Sequence, residues 1–517
     1  MGLGEQKQGF CVGLVVVVVC FAVFAAFWVP FVRNDDDDDD DNTTYTKPVD
    51  TYVSRMSASK VMGHLQDLQN IASDNNDTRA VATSGYKASV DYIVSQLKSG
   101  NANCDPKTQS FEIADWQSLE TPVFAQVDPA IDFSSDLYMQ ILTYSGSGDI
   151  TASLGVLPAD NMGCTQGAWS GVDVKNKIAL VIRGECDFHE KATAAFGAGA
   201  LGVLIYNDGT SEERMGPFAG TLGELQPGPV FSLSHSVGNQ ISNSPNQFLM
   251  QADTQTTVSE TWNVICEWKD GEEENTIVVG SHLDSVPAGP GINDNGSGSS
   301  MNLELAIQLA NSPVEVKNRV IFAWWGAEEI GLKGSDYFVQ NAKANGDLSD
   351  IQLNLNFDMI GSPNARLEIY QGTAVLDPLI KPGCVAIQSI FEQYFDIADI
   401  EFTTVDKLNG AKSDYAPFTT NGIPAGGLST GNADIKDADE RTIFGGYANA
   451  AYDPCYHMDC DNVDNIDQDA VQANSQAAAY TLGTLASSPQ LSSLLNFDST
   501  KRDQIRKDTT KRVFASI

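Results

Sequence analysis

The sequence predicts an α/β fold, on three observations. Three apolar runs read as buried strands: TIVVG (Thr276–Gly280), NRVIFAWW (Asn318–Trp325) and NLNFDMIG, which runs out at Asp358; their length and β-branched or aromatic content suit strands. Each leads into imidazole or carboxylate side chains, and the carboxyl ends of strands are where an open α/β sheet places its ligand crevice. Upstream, KIALVIRGECDFHEKATAAFGAGALGVLIYND alternates strand, amphipathic helix and strand, a βαβ-like unit. With 517 residues, 42% of them hydrophobic, the chain has room for two to four domains with real cores.

In chain order, residues 1–9 are a cytoplasmic stretch or the n-region of a signal. Phe10–Val32 is uncharged and rich in Val, Ala and Phe, long enough to span a bilayer. It reads either as a signal peptide cleaved after small residues such as Ala25, or as a signal anchor with Lys7 on the cytoplasmic side. Either way the rest of the chain enters the secretory pathway and ends up secreted, at the cell surface or in a vacuole, membrane-held if the segment stays. Residues 33–50 form an acidic linker whose like charges oppose packing. The formal charge is −37, and the run Asp35–Asp41 supplies seven of those charges, leaving −30. Such acidity argues against nucleic acid as a partner, whose phosphates need Lys and Arg.

Residues 52–98 carry helical spacing (Val61, Leu65, Leu68, Ile71; then Val90, Ile93, Val94, Leu97), with caps expected near Ser57 and Ser84. Cys104–Ile113 is a candidate edge strand against Trp262–Trp268. Residues 122–252 then read as an inserted β-rich unit; His189 and Asp187 within it are read as ordinary loop or surface positions. The main domain comprises 51–121 and 253–490 and closes with a helix over Asp469–Leu485. The tail, 491–517, is mixed and basic.

The chemistry concentrates after the insertion. GSHLDSVPAGPGINDNGSG puts His282 and Asp284 two apart as a strand ends, on the same side, with Asp294 in a Gly-rich loop where helix cannot form. GAEEIG delivers adjacent Glu328 and Glu329. Neighbours on a strand face apart, so the pair must sit where the strand breaks, which Gly326 and Gly331 permit. Asp358 ends the next strand, and CYHMDCD offers His457. Carboxylates this crowded repel one another unless a cation neutralises them, and His plus carboxylate ligands suit a catalytic zinc with an open position.

These segments, with WWGAEEIGLKGS, NFDMIGSPN, SDYAPF and CYHMDCDNVDNI, match in order the motifs of the dizinc aminopeptidases, and the chain resembles that family over roughly residues 255–490. The resemblance implies a three-layer α/β/α sandwich on a mixed, mainly parallel sheet and removal of a residue from the free N-terminus of a peptide. It implies two zinc ions: His282 and Asp358 on one, Glu329 and His457 on the other, Asp294 bridging. Glu328 would be the general base, Asp284 would orient His282, and Tyr456 would stabilise the oxyanion. Lys412 stands where bacterial members have an Arg that holds the substrate's terminus, and Ser429 where they have a pocket Phe; Met359 and Phe418 are expected as apolar lining, favouring Leu or another apolar first residue. The insertion resembles the protease-associated domain through Cys164, Trp169, Arg183, Gly184, Cys186, Phe188 and Lys191.

The Cys455–Cys460 loop around His457 matches a family disulfide. The further pairs expected are Cys164–Cys186 and, without a spacing argument, Cys104–Cys266; the odd count leaves Cys384 free. Sequons occur at Asn42, Asn76 and Asn295, the first two expected to be glycosylated and the third, inside the metal loop, not. Alternatives remain within the fold (a one-zinc glutaminyl cyclase or a carboxypeptidase) and outside it (a receptor-like binding protein), although the receptor reading requires ligand loss that the sequence does not show.

Overall fold

The computed structural model describes residues 47–211 and 214–496. The apolar segment 10–32, most of the acidic linker, Asn42 and the tail from 497 onward lie outside the described residues, among which no helix is long and apolar enough to cross a membrane.

The helices are α1 Lys47–Arg55, α2 Ala58–Ser73, α3 Ser84–Ser99, α4 Phe188–Gly197, α5 His235–Ile241, α6 Gly298–Ala310, α7 Lys333–Asn345, α8 Lys381–Ala398, α9 Ala416–Thr420, α10 Ala438–Phe444, α11 Gln468–Ser487 and α12 Leu491–Leu494. The main sheet has eight strands: β1 Lys107–Ser118, β10 Thr254–Glu267, β12 Asn318–Trp325, β11 Glu272–His282, β13 Ile351–Phe357, β16 Ala425–Ser429, β14 Glu368–Tyr370 and β15 Thr403–Val405, adjacent in that order. Its centre, β12-β11-β13-β16, is parallel, and antiparallel partners join at β10 and β14.

Alternation along the strands builds the two covering layers. On β12, Val320, Phe322 and Trp324 join the core shared with α1, α2, α3, α6, α8 and α11. Ile321, Ala323 and Trp325 face the other way, against Phe338 and Val339 of α7 and Phe418 of α9. The result is the three-layer sandwich expected.

One detail corrects the sequence reading. Helix α1 begins inside the expected linker, because Val49 and Tyr52 are buried and Tyr52 donates its hydroxyl proton to Leu305 O (2.8 Å). Helix α3 is capped near Ser84 as expected, by its neighbour Thr83, whose hydroxyl accepts the Tyr86 N–H (3.2 Å). Ser57 caps α2 as expected, accepting the Lys60 N–H.

The insertion forms a second eight-stranded sheet from β2 Val123–Gln126, β3 Ile131–Asp132, β4 Met139–Ile141, β5 Gly148–Val156, β6 Ile178–Ile182, β7 Gly202–Tyr206, β8 Val230–Leu233 and β9 Gln247–Ala252, in the order β3-β2-β9-β5-β6-β7-β8-β4. It stands on a two-stranded ribbon, since β1 pairs with β10 from Lys107↔Ile265 to Ser118↔Thr254. The Cys104–Cys266 disulfide closes the foot of that ribbon. Cys164–Cys186 lies within the insertion, Cys455–Cys460 beside His457, and Cys384 is a buried free thiol. Asp187 serves as the N-cap of α4, and His189 Nδ1 meets Leu222 O at 3.0 Å, so both have structural partners.

Candidate metal centre

The carboxyl edge of the three adjacent strands β12, β11 and β13 carries the site. His282 is the last residue of β11. β12 ends at Trp325 and turns sharply through Gly326 and Ala327, the latter in left-handed backbone (φ +63). Gly326 is needed for closeness rather than for turning, because a Cβ there would lie 2.2 Å from the Tyr86 hydroxyl oxygen. Asp358 follows β13 directly. Asp294 comes from the loop between β11 and α6, and His457 from the disulfide-closed loop that precedes α11.

The structure brings the five expected ligands together around Asp294. One Asp294 oxygen, Oδ1, lies 3.2 Å from His282 Nε2, and the other, Oδ2, lies 3.2 Å from His457 Nε2. His282 Nε2 also faces Asp358 Oδ1 at 3.4 Å, and His457 Nε2 faces Glu329 Oε2 at 3.2 Å. One donor atom each from His282, Asp294 and Glu329 fits within 4.8 Å. Tyr456 stacks on His457 with ring centroids 3.9 Å apart.

Asp284 acts differently from the expectation. His282 Nδ1 meets the main-chain oxygen of Asp284 at 3.1 Å, while the Asp284 carboxylate is 3.8 Å away. That carboxylate instead accepts the N–H groups of Glu328 and Glu329, 3.2 Å each. It therefore holds the turn that presents both glutamates.

The expected substrate residues scatter. Lys412 is exposed on the loop before α9, next to Ser413, whose hydroxyl donates to Asp358 Oδ2 (2.6 Å). Met359 adjoins Asp358 in left-handed backbone (φ +56) and is almost fully buried. Phe418 and Ser429 are corrected: neither is exposed at all. Phe418 packs between Trp325 and Phe338 in the core under the sheet, because α9 turns its apolar face inward. Ser429 ends β16 and donates to Glu368 Oε2 at 2.5 Å, inside a charge network with Arg366 and Lys407. Asn76 is exposed in the turn after α2, whereas Asn295 is buried and hydrogen-bonded through both ends of its amide. Asn295 donates to Phe357 O (2.9 Å) and accepts from Gly298 and Met359 N–H.

Three contributors escaped the sequence reading. Asp461 accepts the N–H groups of Asn293 (2.8 Å) and Asp294 (3.0 Å). Asp414 is buried, with one oxygen taking the Ser335 hydroxyl and the other without a hydrogen-bond partner. Arg79 is buried against the Asp294 loop. The two aspartates sit inside motifs that carry the family resemblance, SDYAPF and CYHMDCDNVDNI, whereas Arg79 lies in no such motif.

The electrostatics require positive charge. Burial raises Glu328 far above the ordinary carboxylate range and Glu329 to about 7, with Asp294 adding to the latter. Burial also lifts Asp414 and Asp461 to about 7. Asp294 goes the other way: burial opposes its charge, but the two imidazoles hold it below the usual range. Burial works against the imidazolium of His457, yet Asp294 and Glu329 carry its pKa up to about 10. Glu329 Oε1 and Asp358 Oδ1 are buried and accept no hydrogen bond, a costly condition for a carboxylate. A borderline cation with His and carboxylate donors would satisfy those oxygens, and the donor set suits zinc.

Residues 263–482 match peptidase family M28, and residues 149–241 match the PA domain. An aminopeptidase of Pseudomonas aeruginosa is 40% identical over 451 residues, covering 84% of this chain and 82% of that protein. Leucine aminopeptidase 2 of Arthroderma otae is 37% identical over 448 residues, 85% of this chain and 86% of the relative. The solved structure of an aminopeptidase from Aneurinibacillus sp. strain AM-1 superposes with a TM-score of 0.67 at 22% identity, covering 85% of this chain and 96% of that one. A zinc aminopeptidase from Bacillus subtilis gives 0.57 at 23% identity, with 86% and 98% covered. These two structures share the fold.

Proposed function

The chain belongs to peptidase family M28 and carries a PA domain, and from that premise we propose that it is a zinc-dependent aminopeptidase with a two-zinc centre. The observation that carries the zinc count is the split of Asp294, one carboxylate oxygen towards His282 and the other towards His457. His282 and Asp358 would hold one ion, Glu329 and His457 the other, and Asp294 both. Bound there, zinc supplies Lewis acidity to the scissile carbonyl and lowers the pKa of water.

The remaining chemistry belongs to side chains. Glu328, half-buried and fixed through its N–H by Asp284, accepts the proton of the attacking water. It then delivers that proton to the leaving amine nitrogen as the C–N bond breaks. Tyr456, held against His457, offers its hydroxyl to the oxyanion. The concentration of carboxylates attracts the ammonium of a free N-terminus, so peptides blocked by acetylation are poor substrates. Leu is the favoured first residue, a choice supported by the buried Met359 beside Asp358 and by the relative called leucine aminopeptidase 2. The three disulfides support an oxidising compartment, and so a secretory destination for the catalytic part.

Metal analysis of the purified chain, paired with hydrolysis of Leu-p-nitroanilide before and after chelation, tests this. Two zinc per chain and activity restored by added zinc are expected, with N-acetyl-Leu-p-nitroanilide inert. One zinc together with cyclisation of N-terminal Gln peptides would overturn it.

A further inference from the structure

Arg79 reaches the metal loop from the turn between α2 and α3, well before the residues that match the peptidase family. Its side chain is completely buried. Nε donates to Pro290 O (2.8 Å), Nη1 to Leu283 O and Nη2 to Gly291 O. The Arg79 main chain joins in, its N–H donating to Ser285 Oγ (3.1 Å) and its carbonyl accepting the Ser285 N–H (3.4 Å). Every acceptor of the guanidinium is a neutral carbonyl, and among the described residues no carboxylate hydrogen-bonds it. The carboxylates of Asp461, Asp284 and Asp294 favour its charge through space, but its hydrogen bonds go to the three carbonyls, so its donor geometry has a use of its own.

The acceptors define that use. Leu283 directly follows His282, and Gly291 lies three residues before Asp294. The guanidinium thus spans the two ends of the loop that separates a terminal ligand from the residue shared between the two ions. On the amide side, Asp461 takes the N–H groups of Asn293 and Asp294. Gly291 leaves no slack: it is left-handed (φ +61), and a Cβ there would meet Asp294 O at 2.4 Å and Arg79 Nη2 at 3.3 Å. We propose that Arg79 is a positioning residue that sets the placement of Asp294 relative to His282 by clamping the loop carbonyls. Resting on the two-zinc reading above, this assigns part of the metal site to the amino-terminal helices. Lys keeps the charge but gathers its donors on one nitrogen, without the planar fork by which three separate Arg79 nitrogens each meet a carbonyl.

Full-length Arg79→Lys and Arg79→Ala are compared with wild type for zinc loss to a chelator and for the visible spectrum after cobalt loading. Disturbing a group that orients ligands typically weakens metal binding about 10–100-fold, and that loss is expected in both variants, with an altered cobalt spectrum and an unchanged far-UV spectrum. Ethylguanidinium should restore zinc retention in Arg79→Ala, whereas ethylammonium should not. Folded Arg79→Lys with wild-type zinc retention and cobalt spectrum overturns the proposal. So does failure of both variants to fold, which would assign Arg79 to folding as a whole. A wild-type chain that bound no zinc would remove the two-zinc reading and this proposal with it; wild-type binding beside an indifferent Arg79→Lys removes the proposal alone.

Discussion

Asp284→Asn separates the role the structure gives this residue from the one its position beside His282 suggests. The wild-type carboxylate accepts two N–H groups, from Glu328 and Glu329, at 3.2 Å each. Asparagine keeps one neutral acceptor oxygen and turns an NH₂ towards the other amide, so one bond is lost, the other is no longer charge-assisted, and two donors face each other. Hydrogen bonds to charged groups contribute about 1.5–3 kcal/mol. If that stabilisation is spent on holding the Glu328 turn in register, kcat/KM falls by roughly 10- to 150-fold, at 1.4 kcal/mol per factor of ten. The His282 Nδ1 contact is to a main-chain oxygen (3.1 Å) that the substitution leaves in place, so zinc content should hold. The assay is Leu-p-nitroanilide hydrolysis at saturating zinc, with metal analysis on the same sample. Normal kcat/KM once zinc is saturating, with zinc affinity reduced, would refute the reasoning and return Asp284 to the imidazole.

Glu328→Gln should retain zinc and cut turnover by the ~10²–10⁴ typical of losing a general acid–base group, whereas Glu329→Gln should shed zinc; near-normal turnover in Glu328→Gln would place proton transfer elsewhere. Ser429→Phe should destabilise the fold, since the ring must enter a fully buried site and Glu368 loses its 2.5 Å donor. Overpacking alone costs about 1–3 kcal/mol, read as a lower denaturation midpoint; a stable variant with shifted side-chain preference would show that Ser429 does reach the pocket. Replacing Cys104 and Cys266 with Ala and Ser opens a link between residues 162 apart, worth roughly 5 kcal/mol in the chain-entropy relation. Denaturant unfolding of the double variant checks this, and an unchanged midpoint would sink the entropic account.

The α/β class and the gathering of imidazole and carboxylate side chains at the strand ends were legible from local pattern, namely apolar strands with glycine at the breaks, whereas the three-layer sandwich and the roles of the five proposed ligands came from the family resemblance. The Cys104–Ile113 edge strand against Trp262–Trp268 was legible too, and the structure pairs them and extends the ribbon to Ser118. Phe418 and Ser429 misled because their motif neighbours do face the site. On β16, however, Ser429 points into the Glu368 network, and α9 turns Phe418 under the sheet. A motif fixes which residues are near one another but not which way each side chain faces. Arg79 was illegible for a different reason. It recognises main-chain carbonyls more than 200 positions away, and carbonyls carry no sequence signature.

The same distinction bears on the insertion. As sequence it is a separate module, left at residue 122 and re-entered near 252, yet it returns along β10, the strand adjacent to β12, whose end carries Glu328 and Glu329. Lys333, four residues beyond Glu329, donates from Nζ to Gly223 O of the insertion (2.9 Å) and lies 5.8 Å from the centre of the Tyr144 ring. Its own N–H closes the turn by donating to Ala327 O (3.0 Å). The turn presenting the glutamates is therefore held from two directions, by the Asp284 carboxylate on the catalytic side and through Lys333 on the insertion side. Gly223 and Lys333, 110 positions apart in the sequence, thus bring the two modules together within five residues of the proposed base. A substitution in the Leu222–Gln226 loop should accordingly be judged by its effect on Glu328 as well as on the insertion's own stability.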